Sequence, residues 1–142
     1  MRLCLLLLPC LVSSIPTPFK GRKQAVAAKG TLMCNGKPYE HAKIKIYDVD
    51  FGPDPDDLMA EGRSDAKGQY ALGGTETEYT NIDPKLNIYH NCNDETVECW
   101  RKIQIEIPDE YVNEGEEATR VFDAGVLNLS AVLPGETRDC LN

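Results

Sequence analysis

Apolar residues return at every second position along this chain, in short runs cut by turn-forming residues, and that period constrains the fold more than any other feature. Ile44 and Ile46 face one way while Lys43, Lys45 and Tyr47 face the other; Leu86 and Ile88 alternate with Asn87 and Tyr89; Ile103, Ile105 and Ile107 repeat the pattern until Pro108 ends it. A step of two belongs to a strand with one buried and one wet face, because successive side chains point to opposite sides. Val26, Ala28, Gly30 and Leu32 share a face before the Asn35-Gly36 turn pair, and Leu127, Leu129 and Leu133 share one within residues 121–133. Ser64 to Gly68 reads as a hairpin turn between an edge strand over Leu58 to Gly62 and a return strand opened by Tyr70 and Leu72. A weak strand near residues 109–112 precedes the Asn113-Glu114-Gly115 turn signal. No helical period persists over a window of about eleven residues, so the chain reads as all-β, with seven to eight short strands in a sandwich or barrel.

The N-terminus reads differently. Arg2 precedes an apolar run from Leu3 to Val12 that ends at Ser13-Ser14, the pattern of a secretory signal, and the run is too short to span a bilayer. Residues 1–14 are therefore expected to be a signal peptide. Residues 15–27, with two prolines, a glycine and basic residues at their start, are expected to be a flexible lead-in, and residues 28–142 the folded domain. Of the six cysteines, Cys4 and Cys10 leave with the signal. Cys34, Cys92, Cys99 and Cys140 then form an even set, read as two disulfides in an oxidising compartment. Four thiols allow three pairings; the short gap between Cys92 and Cys99 favours a local clip, leaving Cys34 for Cys140. Zinc is disfavoured, because no Cys-x2-Cys pair is present.

Loss of Arg2 leaves 14 basic residues against 23 acidic ones, a net charge of −9. Such a surface repels polyanions, which argues against nucleic-acid partners and nonspecific adsorption to anionic membranes.

Five blocks carry a resemblance: Gly30-Thr31-Leu32-Met33-Cys34-Asn35-Gly36-Lys37-Pro38, Pro53 to Met59, Ile82-Asp83-Pro84, Ile88-Tyr89-His90-Asn91-Cys92 and Gly125-Val126-Leu127-Asn128-Leu129. In order and spacing, from about Ala28 to Cys140, the chain resembles the nematode transthyretin-like family. The resemblance implies a prealbumin-type sandwich of two four-stranded sheets and extracellular residence. It implies no settled activity; roles suggested for the family include carriage of small apolar ligands and, in one branch, bridging of phosphatidylserine on dying cells to a phagocyte receptor. Enzymatic relatives of transthyretin hydrolyse 5-hydroxyisourate with a C-terminal Tyr-Arg-Gly-Ser. Here the tail reads Arg138-Asp139-Cys140-Leu141-Asn142, and no Ser, His and acid set stands at nucleophile spacing.

Other candidate chemistry is sparse. Asp48, Asp50, Asp54, Asp56 and Asp57 form the densest acidic cluster and are the candidate calcium ligands, although the spacing is not that of an EF-hand and a solvated loop is the simpler account. His90 falls on the inward side with Leu86 and Ile88, which suits a structural role, while His41 belongs to an exposed turn. Glu76, Glu78, Asp83 and Lys85 read as a charged surface connection, and Trp100 as packing near the Cys99 disulfide. Asn128-Leu129-Ser130 is a glycosylation sequon whose Asn faces outward. The reading is a secreted binding protein, without catalysis or cofactor, for a small apolar ligand, a lipid or an extracellular protein. Sheet edges leave a homo-oligomer open. Phosphatidylserine-to-receptor bridging and a secreted hydrolase related to 5-hydroxyisourate hydrolase are the alternatives.

Overall fold

The computed structural model describes residues 21–50, 55–95 and 98–142; the expected signal peptide and residues 15–20 of the expected lead-in lie outside them. The elements in chain order are β1 (Arg22–Cys34), β2 (Lys37–Pro38), β3 (Lys43–Asp48), β4 (Asp57–Arg63), β5 (Gln69–Glu78), β6 (Pro84–His90), β7 (Trp100–Glu106), a 3-10 turn (Asp109–Tyr111), β8 (Asn113–Glu114), β9 (Val121–Asn128) and β10 (Thr137–Asp139). Seven of the described strands have six residues or more, and β2, β8 and β10 are two- or three-residue additions. Among the described residues no helix is long and apolar enough to cross a membrane.

β1 is the spine of the first sheet. β5 runs antiparallel to it from Arg22↔Glu78 to Thr31↔Gln69, and β9 runs parallel along its other side from Ala27↔Val121 to Met33↔Asn128. β8 and β2 pair near its two ends. The second sheet is antiparallel throughout, in the order β10-β7-β6-β3-β4. With the short strands counted, each sheet has five strands where the resemblance implied four. The alternation predicts the core: Val26, Ala28 and Leu32 from one sheet pack with Ile44, Ile46, Leu86, Ile88 and Ile103 from the other, all at 5% exposure or less. Each of the Val, Leu and Ile side chains contributes about 1.5–3 kcal/mol of burial, an upper figure because unfolded chains are already partly compact.

β6 departs from the rule of one wet face. Asn87 and Tyr89, on its outer side, are buried because the Lys45 and Lys102 ammonium groups lie 5.5 and 5.8 Å from the Tyr89 ring centroid. Their aliphatic stems roof the sheet while their charges remain near water. Beneath them Gln104 Nε2 donates to Asn87 Oδ1 at 2.9 Å. The hairpin turn forms as read: Asp65 Oδ1 accepts the N–H groups of Lys67 and Gln69, both at 2.9 Å, and Gly68 supplies a φ of 74°.

Three expectations need correction. Residues 22–27 belong to β1 and not to a lead-in, with Ala25 and Val26 at 1% and 0% exposure. Charge hides this start of the strand: Arg22 pairs with Glu114 at 2.5 Å, Lys23 with Glu116 at 3.1 Å, and the buried Gln24 accepts Ile82 N–H and donates to Thr80 O. The weak strand near 109–112 is instead a 3-10 turn, started by Pro108 and closed by Val112 N–H to Asp109 O. The disulfides join Cys34 to Cys92 and Cys99 to Cys140, not Cys92 to Cys99. Cys34 ends β1 and Cys92 follows β6, so that bond staples the two sheets together. Cys99 and Cys140 flank the β7–β10 pairing, next to Trp100↔Asp139, so antiparallel register brings them together.

A buried cation secures the same end. Arg101 Nη1 donates to the carbonyls of Cys92 and Leu129, and Nη2 to Ala131 O and to Glu136, its ion-pair partner at 2.8 Å. Five donors in a planar fork suit this role, since one side chain satisfies the carbonyls of Cys92, Leu129 and Ala131. At the opposite end of the sandwich the strands stop at acidic side chains.

Candidate functional site

Asp48 closes β3 and Asp57 opens β4, and the two are cross-strand partners. Between them and the rest of the pairing lies a bulge: Ile46 pairs with Ala60 and Tyr47 with Leu58, so Met59 is skipped. The bulged backbone meets β5 of the other sheet, where a Cβ on Gly74 would stand 2.1 Å from the Met59 carbonyl oxygen. A glycine lets the sheets approach closely here. That approach brings Glu78, the last residue of β5, to the acidic end of β3.

Asp48, Asp50, Asp57 and Glu78 each offer a carboxylate oxygen within 4.8 Å of the others. They line an open cleft of about 540 Å³ with Val49, Pro55, Thr80, Asn81 and Asp83. Asp48 is held firmly, at 3% exposure, with Oδ1 accepting the Asp83 N–H at 2.8 Å. Val49 N–H donates back to Asp83 O at 3.0 Å, which ties the end of β3 to the turn before β6. At the rim, Arg22 donates to Asn81 Oδ1 at 2.7 Å while pairing with Glu114.

Burial first, and then crowding of like charge, raises two carboxyls of the cleft. Burial pushes the Asp48 carboxyl above its ordinary range, against the opposing effect of the Asp83 N–H, and Asp57, Glu76 and Asp83 add repulsion. Glu78 is raised too, by desolvation first and then by Asp50, Asp48 and Asp57. A bound cation would reverse this by favouring the ionised forms, and an all-oxygen donor set is what calcium or magnesium takes.

Of the five aspartates proposed as calcium ligands, the fold brings together Asp48, Asp50 and Asp57. Asp56 instead accepts the Asp50 N–H at 3.2 Å, and Asp54 lies outside the described residues. The fourth carboxylate, Glu78, was read as part of a separate surface connection. Its only sequence signal was the density of acids at Glu76, Glu78 and Asp83; nothing local shows that β5 ends beside β3.

The remaining candidates sit elsewhere. His90 is fully buried in β6, its Nδ1 accepting the Cys92 N–H at 3.1 Å while Nε2 has no partner. Burial lowers its pKa to about 4, with the Arg101 charge acting in the same direction. His41 lies in a turn at φ 69°, beside Glu40. Trp100 is half-buried and opens β7 next to the Cys99–Cys140 bond. Asn128 is exposed at the end of β9.

The family profile and the related sequences agree on one family. The profile of the transthyretin-like family matches residues 29–108. Transthyretin-like protein 5 of Caenorhabditis elegans is 48% identical over 138 residues, covering 97% of this chain and 99% of that protein. Transthyretin-like proteins 33 and 2 of the same organism are 45% and 43% identical, covering 84% and 87% of this chain and 83% and 87% of their own lengths. Among solved structures, a 9R-lipoxygenase from Cyanothece overlaps with a TM-score of 0.42 at 18% identity over 75% of this chain and 16% of that one, too partial a likeness to bear on function. From the family profile and from relatives matched over nearly their whole length, the chain belongs to the transthyretin-like family.

Proposed function

We propose that this chain is a secreted extracellular binding protein without catalytic activity, and that it meets its partner at the acidic cleft. The observation that carries the proposal is the convergence of Asp48, Asp50, Asp57 and Glu78 from two sheets on one open cleft. The space between the sheets is already filled, with Leu32, Ile44, Ile46, Leu86 and Ile88 each at 0% exposure, so a ligand is met at the surface. Carboxylates held this close are poised for a cation, whether a free divalent ion or one shared with an anionic group on the partner. Calcium shared in this way would reconcile a net charge of −9 after loss of residues 1–14 with binding to anionic lipid, which gives the phosphatidylserine-bridging reading its specific support.

The test uses purified protein and three probes. Calcium-dependent binding to phosphatidylserine vesicles supports bridging through the cleft. Uptake of a fluorescent apolar probe without calcium supports a carrier that works by another surface. Turnover of 5-hydroxyisourate overturns the claim that the chain is not an enzyme.

A further inference from the structure

The chain contains one Asn-x-Ser/Thr sequence, Asn128-Leu129-Ser130, and it falls at the end of β9 where the first sheet has an open edge. We infer that Asn128 carries an N-linked glycan, an inference that rests on the secretory reading. Sugar transfer acts on the extended chain as it enters the secretory pathway, so the fold must then house a large hydrophilic group at that position. Asn128 meets that need. Leu129 turns inward to 0% exposure, and the alternation leaves Asn128 exposed on the other side. Asn128 Oδ1 accepts the Ser130 N–H at 3.0 Å, an Asx turn that uses only the oxygen of the amide. No described group takes Nδ2, the atom that bonds to the sugar.

The surroundings are suited to a glycan. Val126 and Val132 stand 70% and 78% exposed to either side of the sequon, apolar surface that a sugar would screen from water. β9 pairs only with β1 among the described residues, so its outer edge is open, and bulk at Asn128 hinders a second chain from adding a strand there. The position also leaves the cleft clear. Glu78 pairs with Arg22 and Asn128 pairs with Met33, so the two lie eleven residues apart along β1, about 35 Å at the rise of an extended strand.

The experiment expresses the full chain in secreting eukaryotic cells, once with its own N-terminus and once with residues 1–14 replaced by a well-characterised signal. Protein from the medium is run before and after peptide-N-glycosidase treatment, beside Asn128→Gln and Ser130→Thr. The expected result is a single mobility step that the enzyme removes, that N128Q lacks and that S130T keeps. Failure of the native N-terminus alone to deliver protein to the medium would count against the secretory reading. Secreted protein with the replacement signal and no enzyme-sensitive step would overturn the glycan.

Discussion

Asp48 and Glu78 stand on different sheets, yet they offer carboxylate oxygens within 4.8 Å of each other. One is rigid and buried at the end of β3; the other ends the strand that pairs with Arg22. The contact concentrates negative charge instead of relieving it, so the cleft costs the fold stability when both groups are ionised.

Asp48→Asn should therefore stabilise the protein at neutral pH. A carboxyl whose folded pKa lies above its unfolded value favours folding when protonated, so its stabilising state is present below the unfolded pKa and is lost as pH rises through the folded one. The asparagine keeps an oxygen for the Asp83 N–H and removes the charge. A gain on the order of 1 kcal/mol at pH 7, fading below pH 4, is expected from urea titrations at both pH values. A loss at pH 7 would show that the negative charge of Asp48 is needed by the fold.

Calcium should change the sign of that comparison. An ion that binds only the folded state adds RT ln(1 + [L]/Kd), about 2.7 kcal/mol at a hundredfold excess over Kd, or roughly 10 °C in Tm for a domain of this size. Glu78→Gln and Asp57→Asn should abolish the shift without unfolding the protein, because both side chains are partly exposed. Thermal scans with calcium and with chelator check this, and an unmoved wild-type Tm overturns the cation reading of the cleft.

His90 supplies an acid-sensitive point at the other end. Its pKa is lowered to about 4 from 6.5, so the neutral ring is the folded form; stability is full above pH 6.5 and drains as pH falls towards 4. The loss is on the order of 2–3 kcal/mol. His90→Asn keeps an acceptor for the Cys92 N–H but cannot take up the proton. It should be less stable than wild type at pH 7 and flatter between pH 6.5 and 4.5 in denaturant titrations; parallel curves would assign the acid loss to other groups.

The disulfides mark what was legible in the sequence and what was not. Alternation around Ile44, Leu86 and Ile103 displayed strands and core because period two is local, and the Asp65-to-Gly68 turn displayed a hairpin for the same reason. Which cysteines meet depends on which strands lie side by side: the end of β1 beside the end of β6, and β10 against β7. Short sequence distance pointed to Cys92 and Cys99, and long-range register overruled it. Glu78 was hidden in the cleft for the same reason, and the start of β1 was hidden because ion pairs secure it where apolar alternation would have shown it. Unreduced peptide mapping should recover Cys34 with Cys92 and Cys99 with Cys140. Replacing either pair by serine should cost about 4 kcal/mol in the chain-entropy account, for loops of 58 and 41 residues.

Gly74 tests whether the close approach of the sheets builds the cleft. A methyl group there would stand 2.1 Å from the Met59 carbonyl oxygen, and that oxygen belongs to a bulged backbone and not to a flexible side chain. Gly74→Ala must therefore push β4 away from β5, at a cost of about 2–3 kcal/mol for overpacking. The shift would also part Asp57 from Glu78 and weaken the calcium response more than the stability loss alone explains. Gly62→Ala, on β4 across the same β4–β5 contact, is the control, because its new methyl group would meet nothing nearer than Leu72 Cβ at 3.9 Å. That control should be neutral or slightly stabilising, since alanine has fewer unfolded conformations to lose. If the two alanines behave alike in urea, the cleft does not depend on the β4–β5 contact; if only Gly74→Ala loses both stability and calcium response, the glycine positions the site.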